Sequence, residues 1–581
     1  MDRGRGRPAL AIVAATWLGI VALAGPPPPP PPAPPGVTPS AAATVTPSAA
    51  PPSSAPASSA PASSAPASSA PANGASPSAA ASATPTPAVP TPVPTEPPIL
   101  VTPALAQITP GGSAQIQVQQ VLGNVNVTVA DPALVAASVD QSTLIVTLQG
   151  KAVGSTTITI SDARGLTRVV PVRVAYLAGD VGPVAAIRIT GNPATQLFVK
   201  EQAMAAALAG TSARPGAQII ATADDIAFPA PLLSDRIATV SVPITIQGDA
   251  YFSVEGTTQV RVENDALPSI RPNSLLVSDF PETLNANGIL FTADLQARVA
   301  ERFLYYHYDP PGQPARRIVL KVQNPSPDPA TVQVIDGIGG PASNELEVGH
   351  LSTERFLVHL AQNEGKVVTI PGNATLALEA QPLPPGTVVS SLFQLFEVDG
   401  APLHLTLVAQ NADDPIDGPI PHSALLVGTK DHARGIYPIP EFYYDFSYDT
   451  SGPDLAIPIG VIPLPNLVVG QTLGGDYGVL QSITVRMVNP DPRNARNIAI
   501  YAQPRGGRAT GTFLIDRVLL QAHQMLPFQM YKLREYTVPP GSFVRSEIVT
   551  MPEGGSSYPV RLVVGPDDGS AAPGAPGSAI Y

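Results

Sequence analysis

The chain is poor in aromatic residues, yet two short runs concentrate them: Tyr305-Tyr306-His307-Tyr308-Asp309 and Phe442-Tyr443-Tyr444-Asp445-Phe446-Ser447-Tyr448-Asp449. Aromatic faces beside polar groups are what a sugar-binding groove needs, because a π face packs well on the C–H face of a pyranose. Tyr305, Tyr306, Tyr308, Tyr443, Tyr444 and Tyr448 are therefore the candidate contacts for a carbohydrate or a protein partner. Alternate residues of a strand face opposite sides, so the competing expectation puts half of each run in a core or a domain junction.

Other reactive residue types form no recognisable constellation. No two of the seven histidines have the His-x-x-x-His spacing that places two ligands on one helix face, and hydrogen-bonded structural roles are expected for His307 and His350. The carboxylates of Glu354, Glu397, Asp399, Asp413 and Asp414 stand in no spacing that identifies a glycosidase pair, which is defined by separation in space. Asp224-Asp225 lacks the oxygen-rich spacing of a calcium loop. There is no Gly-x-Ser-x-Gly elbow and no phosphate-binding Gly loop, and the absence of cysteine removes thiolate chemistry and disulfides. No catalytic residue, cofactor or metal is expected.

The elements that would carry these residues are short strands. With 71 Pro, 48 Gly and only 13% charged residues, long helices cannot dominate. The net charge of −12 offers no basic field to phosphates, so nucleic acid is excluded as a partner.

Arg3, Arg5 and Arg7 precede an apolar run, Ala9 to Ala24, that ends in Ala22-Leu23-Ala24 before Gly25 and a proline run. This order of basic, apolar and small residues is that of a secretory signal peptide at 1–24, with Ala22, Ala24 and Gly25 at the cleavage site. An uncleaved anchor is the alternative, in which residues 9–24 are the contact with membrane. Residues 25–98 read as a disordered Pro/Ala/Ser/Thr-rich stalk: seven consecutive prolines at 26–32, then four tandem copies of Ser-Ser-Ala-Pro-Ala from Ser53 to Ala72. Proline favours extended polyproline II geometry, so such a stalk is semi-rigid.

Beyond it the pattern becomes β. Gln115–Gln119, Val125–Val129 and Thr156–Ile160 alternate polar and apolar residues, which predicts a small antiparallel sandwich at 99–178. Pro110-Gly111-Gly112-Ser113, Val129-Ala130-Asp131-Pro132-Ala133-Leu134-Val135, Leu148-Gln149-Gly150-Lys151-Ala152-Val153-Gly154-Ser155-Thr156-Thr157-Ile158 and Ser161-Asp162-Ala163-Arg164-Gly165 resemble bacterial immunoglobulin-like domains. They are also similar to the related N-terminal domain of pilus-formation and secretin proteins. The resemblance covers residues 99–177 and implies a spacer, adhesin or assembly module without catalytic residues. Nothing downstream reads as a membrane-inserted secretin barrel.

Residues 182–278 are expected to form a mixed β domain whose helix, Ala194 to Leu208, presents Leu197, Met204 and Leu208 on one face. Then comes a diverged repeat. Arg317–Pro325 matches Ser482–Pro490, each ending in Asn-Pro, while Gly339-Gly340 matches Gly506-Gly507 and Thr369–Gly372 matches Thr537–Gly541. The nearly constant offset predicts two related β sandwiches, at 279–413 and 445–566, followed by a flexible tail at 567–581.

The expected fold class is therefore mainly β, tandem immunoglobulin-like sandwiches behind a signal peptide and a stalk. The expected role is a non-enzymatic, exported bacterial cell-envelope protein that presents its modules to an envelope protein or glycan for adhesion, assembly or support. A secreted carbohydrate-binding or carbohydrate-active protein and a periplasmic component of a pilus or secretion system are the alternatives.

Overall fold

The computed structural model describes residues 97–569 apart from 422, 429–431 and 469–470. The expectations for the signal peptide, for its cleavage at Ala22, Ala24 and Gly25, for nearly all of the stalk and for most of the tail lie outside these residues.

The first module is a two-sheet sandwich. One sheet runs in the order 100–102, 113–119, 145–150, 135–140; the other runs 106–108, 167–174, 154–161, 126–129. The alternation read from the sequence is the cause: Ile116, Val118, Val146, Leu148, Ile158, Ile160, Val170 and Val172 all point into the space between the sheets and are buried. Asp131 turns the chain after Asn126–Val129, its carboxylate accepting from the Ala133 amide at 2.9 Å.

The middle module holds the first helix, α1 (Gln196–Ala209), capped by the Thr195 hydroxyl and closed at Gly210. Its buried face is Phe198, Val199, Ala203 and Ala207, whereas Leu197 is 59% exposed. The expected Leu197/Met204/Leu208 face is therefore displaced around the helix. Alanines at 203 and 207 let the helix lie close to the sheet, a preference that a count of large apolar residues does not register.

This module shares its sheet with the next. Strand Val184–Thr190 runs parallel to Val254–Asp265 on one side and pairs antiparallel with Gly365–Ile370 through Ile189↔Lys366 and Thr190↔Gly365 on the other. A single ten-stranded sheet results, continuing through strands 330–342, 387–399, 300–309, 272–278 and 434–437. Thr190 donates to the Asn363 carbonyl at 2.7 Å and accepts from the Gln333 amide at 2.8 Å, so the seam is hydrogen-bonded in side chains as well as backbone.

The two related sandwiches share one scaffold. Strands 365–370, 330–342, 387–399 and 300–309 neighbour one another in that order, as do 531–538, 496–504, 560–566 and 455–459. In the facing sheets, 316–323 pairs with 375–383 and 480–488 pairs with 543–550. Asn324 and Asn489 are both fully buried and make the same bonds. Each side-chain amide donates to the carbonyl of the matched strand end, Ile370 at 3.2 Å or Val538 at 3.1 Å, and each side-chain oxygen accepts from the amide two residues on.

What differs is the insertion after the Gly-Gly pair. The first repeat has a helix there, α2 (Glu345–Gln362); the second has a hairpin, Ala509–Ile515 and Val518–Met525. Helix α2 lies within the stretch read as pure sandwich, although its sequence carries local helix signals: Asn344 at the start, Glu345 and Glu347 in the first turn, Val348, Phe356 and Leu357 on one face and Asn363 at the end.

Candidate functional site

The two insertions meet. His350 of α2 faces Glu553 with its Nδ1 3.0 Å from Oε2, and the hydroxyls of Thr510 and Thr512 donate to the same carboxylate. The ring of His523 packs edge-on against His350 with centroids 4.4 Å apart. Gly349 is required beside it, since a Cβ there would overlap the Gly554 carbonyl. Both His350 and Glu553 are buried, so the contact is a docked junction.

A cavity of about 360 Å³ opens at this junction, lined among others by Asp279, Glu282, Tyr306, Glu345, His432 and Tyr477, with Gly554 to Ser556 closing the side of the second repeat. Backbone pairing brings its polar residues together. Strand Pro272–Ser278 pairs antiparallel with Arg434–Tyr437, and the Asp279 amide extends the ladder to the Ala433 carbonyl at 2.9 Å, which brings Asp279 beside His432. The chain then continues parallel to strand Ala300–Asp309, where the Glu282 carbonyl accepts from the Tyr308 amide at 2.8 Å. His432 consequently stands between two carboxylates, Nδ1 3.4 Å from Asp279 Oδ2 and Nε2 2.9 Å from Glu282 Oε2. Glu282 and His432 also line a second cavity of about 200 Å³, with Asn285 and Val427.

Desolvation pushes the Asp279 carboxyl up to about 6 against the opposing pull of the His432 hydrogen bond and charge, with Glu282 adding to the rise. Across the cavity the Tyr306 hydroxyl lies 3.4 Å from Glu345 Oε2, and burial raises its pKa further above the usual phenol value. Tyr477 donates to the Ser556 carbonyl at 2.8 Å.

The six tyrosines singled out from the sequence are thus dispersed. Tyr305 is fully buried and donates to Gln381 at 2.9 Å; Tyr306 lines the junction cavity; Tyr308 is half-buried beside the Tyr306 cluster. Strand Ala300–Asp309 is covered on both faces, so strict alternation of buried and exposed residues does not apply to it. Strand Glu441–Asp449 does alternate: Tyr444 stacks between Phe442 and Phe446 with centroids 5.8 Å away on each side, Tyr448 is buried, and Tyr443 is 52% exposed with the Arg271 guanidinium 4.6 Å over its ring. Tyr443 and Tyr444 line a surface groove of about 550 Å³ with Arg271, Asp445 and Glu547.

His307 and His350 do not meet. His307 is enclosed between the Ser278 hydroxyl at 3.2 Å and the Pro281 carbonyl at 2.9 Å, and burial lowers its pKa to about 4. Sequence reasoning passed over Asp279, Glu282 and His432 because 150 residues of intervening chain leave no local spacing to read.

Fold and cleft together define a protein of tandem β-sandwich modules with a polar cavity where two related modules dock. No family model matches the chain, and no curated protein matches it. Among solved structures it is similar to the fibronectin(III)-like modules of CbhA from Clostridium thermocellum, at 13% identity and TM-score 0.15 over 30% of this chain and 98% of that one. The human desmocollin-1 ectodomain gives 11% and 0.12 over 31% of this chain, which spans 43% of that ectodomain. The Bacteroides ovatus protein SGBP-B of a mixed-linkage glucan utilization locus, solved with a mixed-linkage heptasaccharide, gives 12% and 0.12 over 53% of this chain and 71% of that one. Likeness this low says nothing of activity or ligand, and the sandwich assignment stands on the strand pairing. Among the described residues no helix is long and apolar enough to cross a membrane.

Proposed function

We propose that this chain is a non-enzymatic exported cell-envelope or surface protein that holds a row of β-sandwich modules for adhesion, assembly or structural support. The observation that carries the reading is continuity. The middle module and the first repeat share one ten-stranded sheet, and the first repeat docks on the second through His350 and Glu553, so force or a partner on one module is transmitted to the next. Modules that worked independently would have no use for a shared sheet. The basic-apolar-small N-terminus and the proline-rich segment behind it support export and display.

Protease treatment of intact host cells tests this: the modules are expected to be cleaved or shed while cytoplasmic markers survive. Full protection, with the chain in the cytosol and starting at Met1, overturns it. Recovery of a pilus or secretin subunit from crosslinked envelopes would narrow the role to assembly of such a machine.

A carbohydrate-binding reading is favoured by one feature, the exposed Tyr443 in its groove beside Asp445 and Glu547. A glycan array showing retention that Tyr443→Ala abolishes would establish it, and absence of retention would remove it.

A further inference from the structure

We infer that Asp279, Glu282 and His432 form a binding site for a divalent transition metal of the Zn2+ class at the mouth of the junction cavity. One ligand atom from each of the three residues lies within 4.8 Å of the others, close enough to share one ion.

The electrostatics of the cavity call for a cation. Both ring nitrogens of His432 face carboxylate oxygens, at 3.4 and 2.9 Å. An imidazolium would donate to both carboxylates, whereas a neutral imidazole keeps one lone pair facing an anion, the arrangement in which a metal ion is favoured. A metal ion between that lone pair and the carboxylates replaces repulsion with coordination. Asp279 Oδ1 is buried without a hydrogen-bond partner, an acceptor of the kind a cation satisfies. A third carboxylate, Glu345, lines the same cavity, and His432 is the one basic side chain among its described lining residues. The trio is anchored by backbone pairing on adjacent strand ends, which holds the ligands in place before any ion arrives.

The donor set selects the class of ion. Two carboxylates and an imidazole suit Zn2+ and its neighbours, whereas Ca2+ takes about six to eight oxygens. Three protein ligands leave coordination positions open toward the cavity, so a bound ion would present them to water or to an oxygen or nitrogen donor from a partner.

The test is isothermal titration of the full chain, stripped with chelator, with Zn2+. One ion per chain is expected, and His432→Ala, Asp279→Asn and Glu282→Gln should each weaken binding by about tenfold or more. Co2+ gives a direct readout: visible ligand-field bands expected with the parent chain should change in intensity or vanish with Glu282→Gln, the most conservative variant, which carries the test if His432→Ala does not fold. Absence of stoichiometric binding, or binding and Co2+ spectra unchanged in all three variants, overturns the site and leaves an imidazolium held between two carboxylates.

Discussion

The two repeats are the same scaffold with different insertions, and the difference teaches where this protein departs from a plain string of sandwiches. In both, the strand after the Asn-Pro turn runs to a Gly-Gly pair and the matched strand returns to the buried asparagine; Arg496↔Val538 repeats Ala330↔Ile370. The excursion between them changes, α2 in one and a hairpin in the other, and so does the outer neighbour of the Asn-Pro strand, 403–411 antiparallel in the first repeat and 441–449 parallel in the second. Those excursions meet at the junction, beside an apolar cluster that joins Leu304, Ile335, Phe356 and Leu392 to Leu480, Leu514, Leu519 and Met551. A duplicated scaffold keeps its core because core positions are constrained from both sheets, and it becomes asymmetric where insertions project outward.

The sharpest way to break the comparison is to remove the histidine contributed by α2. His350→Ala leaves the Glu553 carboxylate buried with only the hydroxyls of Thr510 and Thr512, and loss of one partner from a buried pair costs about 3–5 kcal/mol. Calorimetry should show the second repeat melting earlier and separately from the first. Gly349→Val attacks the same junction sterically, at about 3 kcal/mol, since its side chain collides with the Gly554 backbone. Asn324→Ala and Asn489→Ala test the shared scaffold: each strands buried carbonyls and should cost about 1–3 kcal/mol in denaturant unfolding, and nearly equal losses are expected if the two sites are equivalent.

The smallest effect is a pH dependence. Burial disfavours the charged imidazole of His350, but the charge and hydrogen bond of Glu553 outweigh it and raise its pKa. A raised histidine pKa adds stability that is complete below the unfolded value, about 6.5, and is lost as pH climbs through the folded value. The junction should therefore melt at lower temperature at about pH 9 than at about pH 6, and His350→Gln should flatten the difference.

Much of this architecture is legible in the sequence. Ile116, Val118, Ile158 and Ile160 stand at alternate positions and form the core of the first module, because its sheets each have one wet face. The Asn-Pro match located the repeat because a buried asparagine at a strand end needs a particular turn. Alternation failed for Tyr305 to Tyr308, whose strand is sandwiched between the core and the neighbouring elements. Helix α2 was legible in principle, from Asn344 and the acidic first turn to the Val348, Phe356 and Leu357 face and Asn363, whereas its docking against the Gly337 and Gly339 backbone is tertiary. The cluster at Asp279, Glu282 and His432 was invisible because it too is tertiary: a ladder joining residue 278 to residue 434 creates it.

The central structural claim, that the repeats are locked into one body at their junction, is open to a direct measurement. The chain has no cysteine, so Thr292→Cys in the first repeat and Ser447→Cys in the second, both exposed, can be spin-labelled without background. Pulsed electron–electron distance measurement on the full chain should give a single distribution as narrow as that from two labels within one sandwich. A broad or bimodal distribution in the parent sequence would contradict the account, showing that the modules swing and that the cavity between them does not hold its shape.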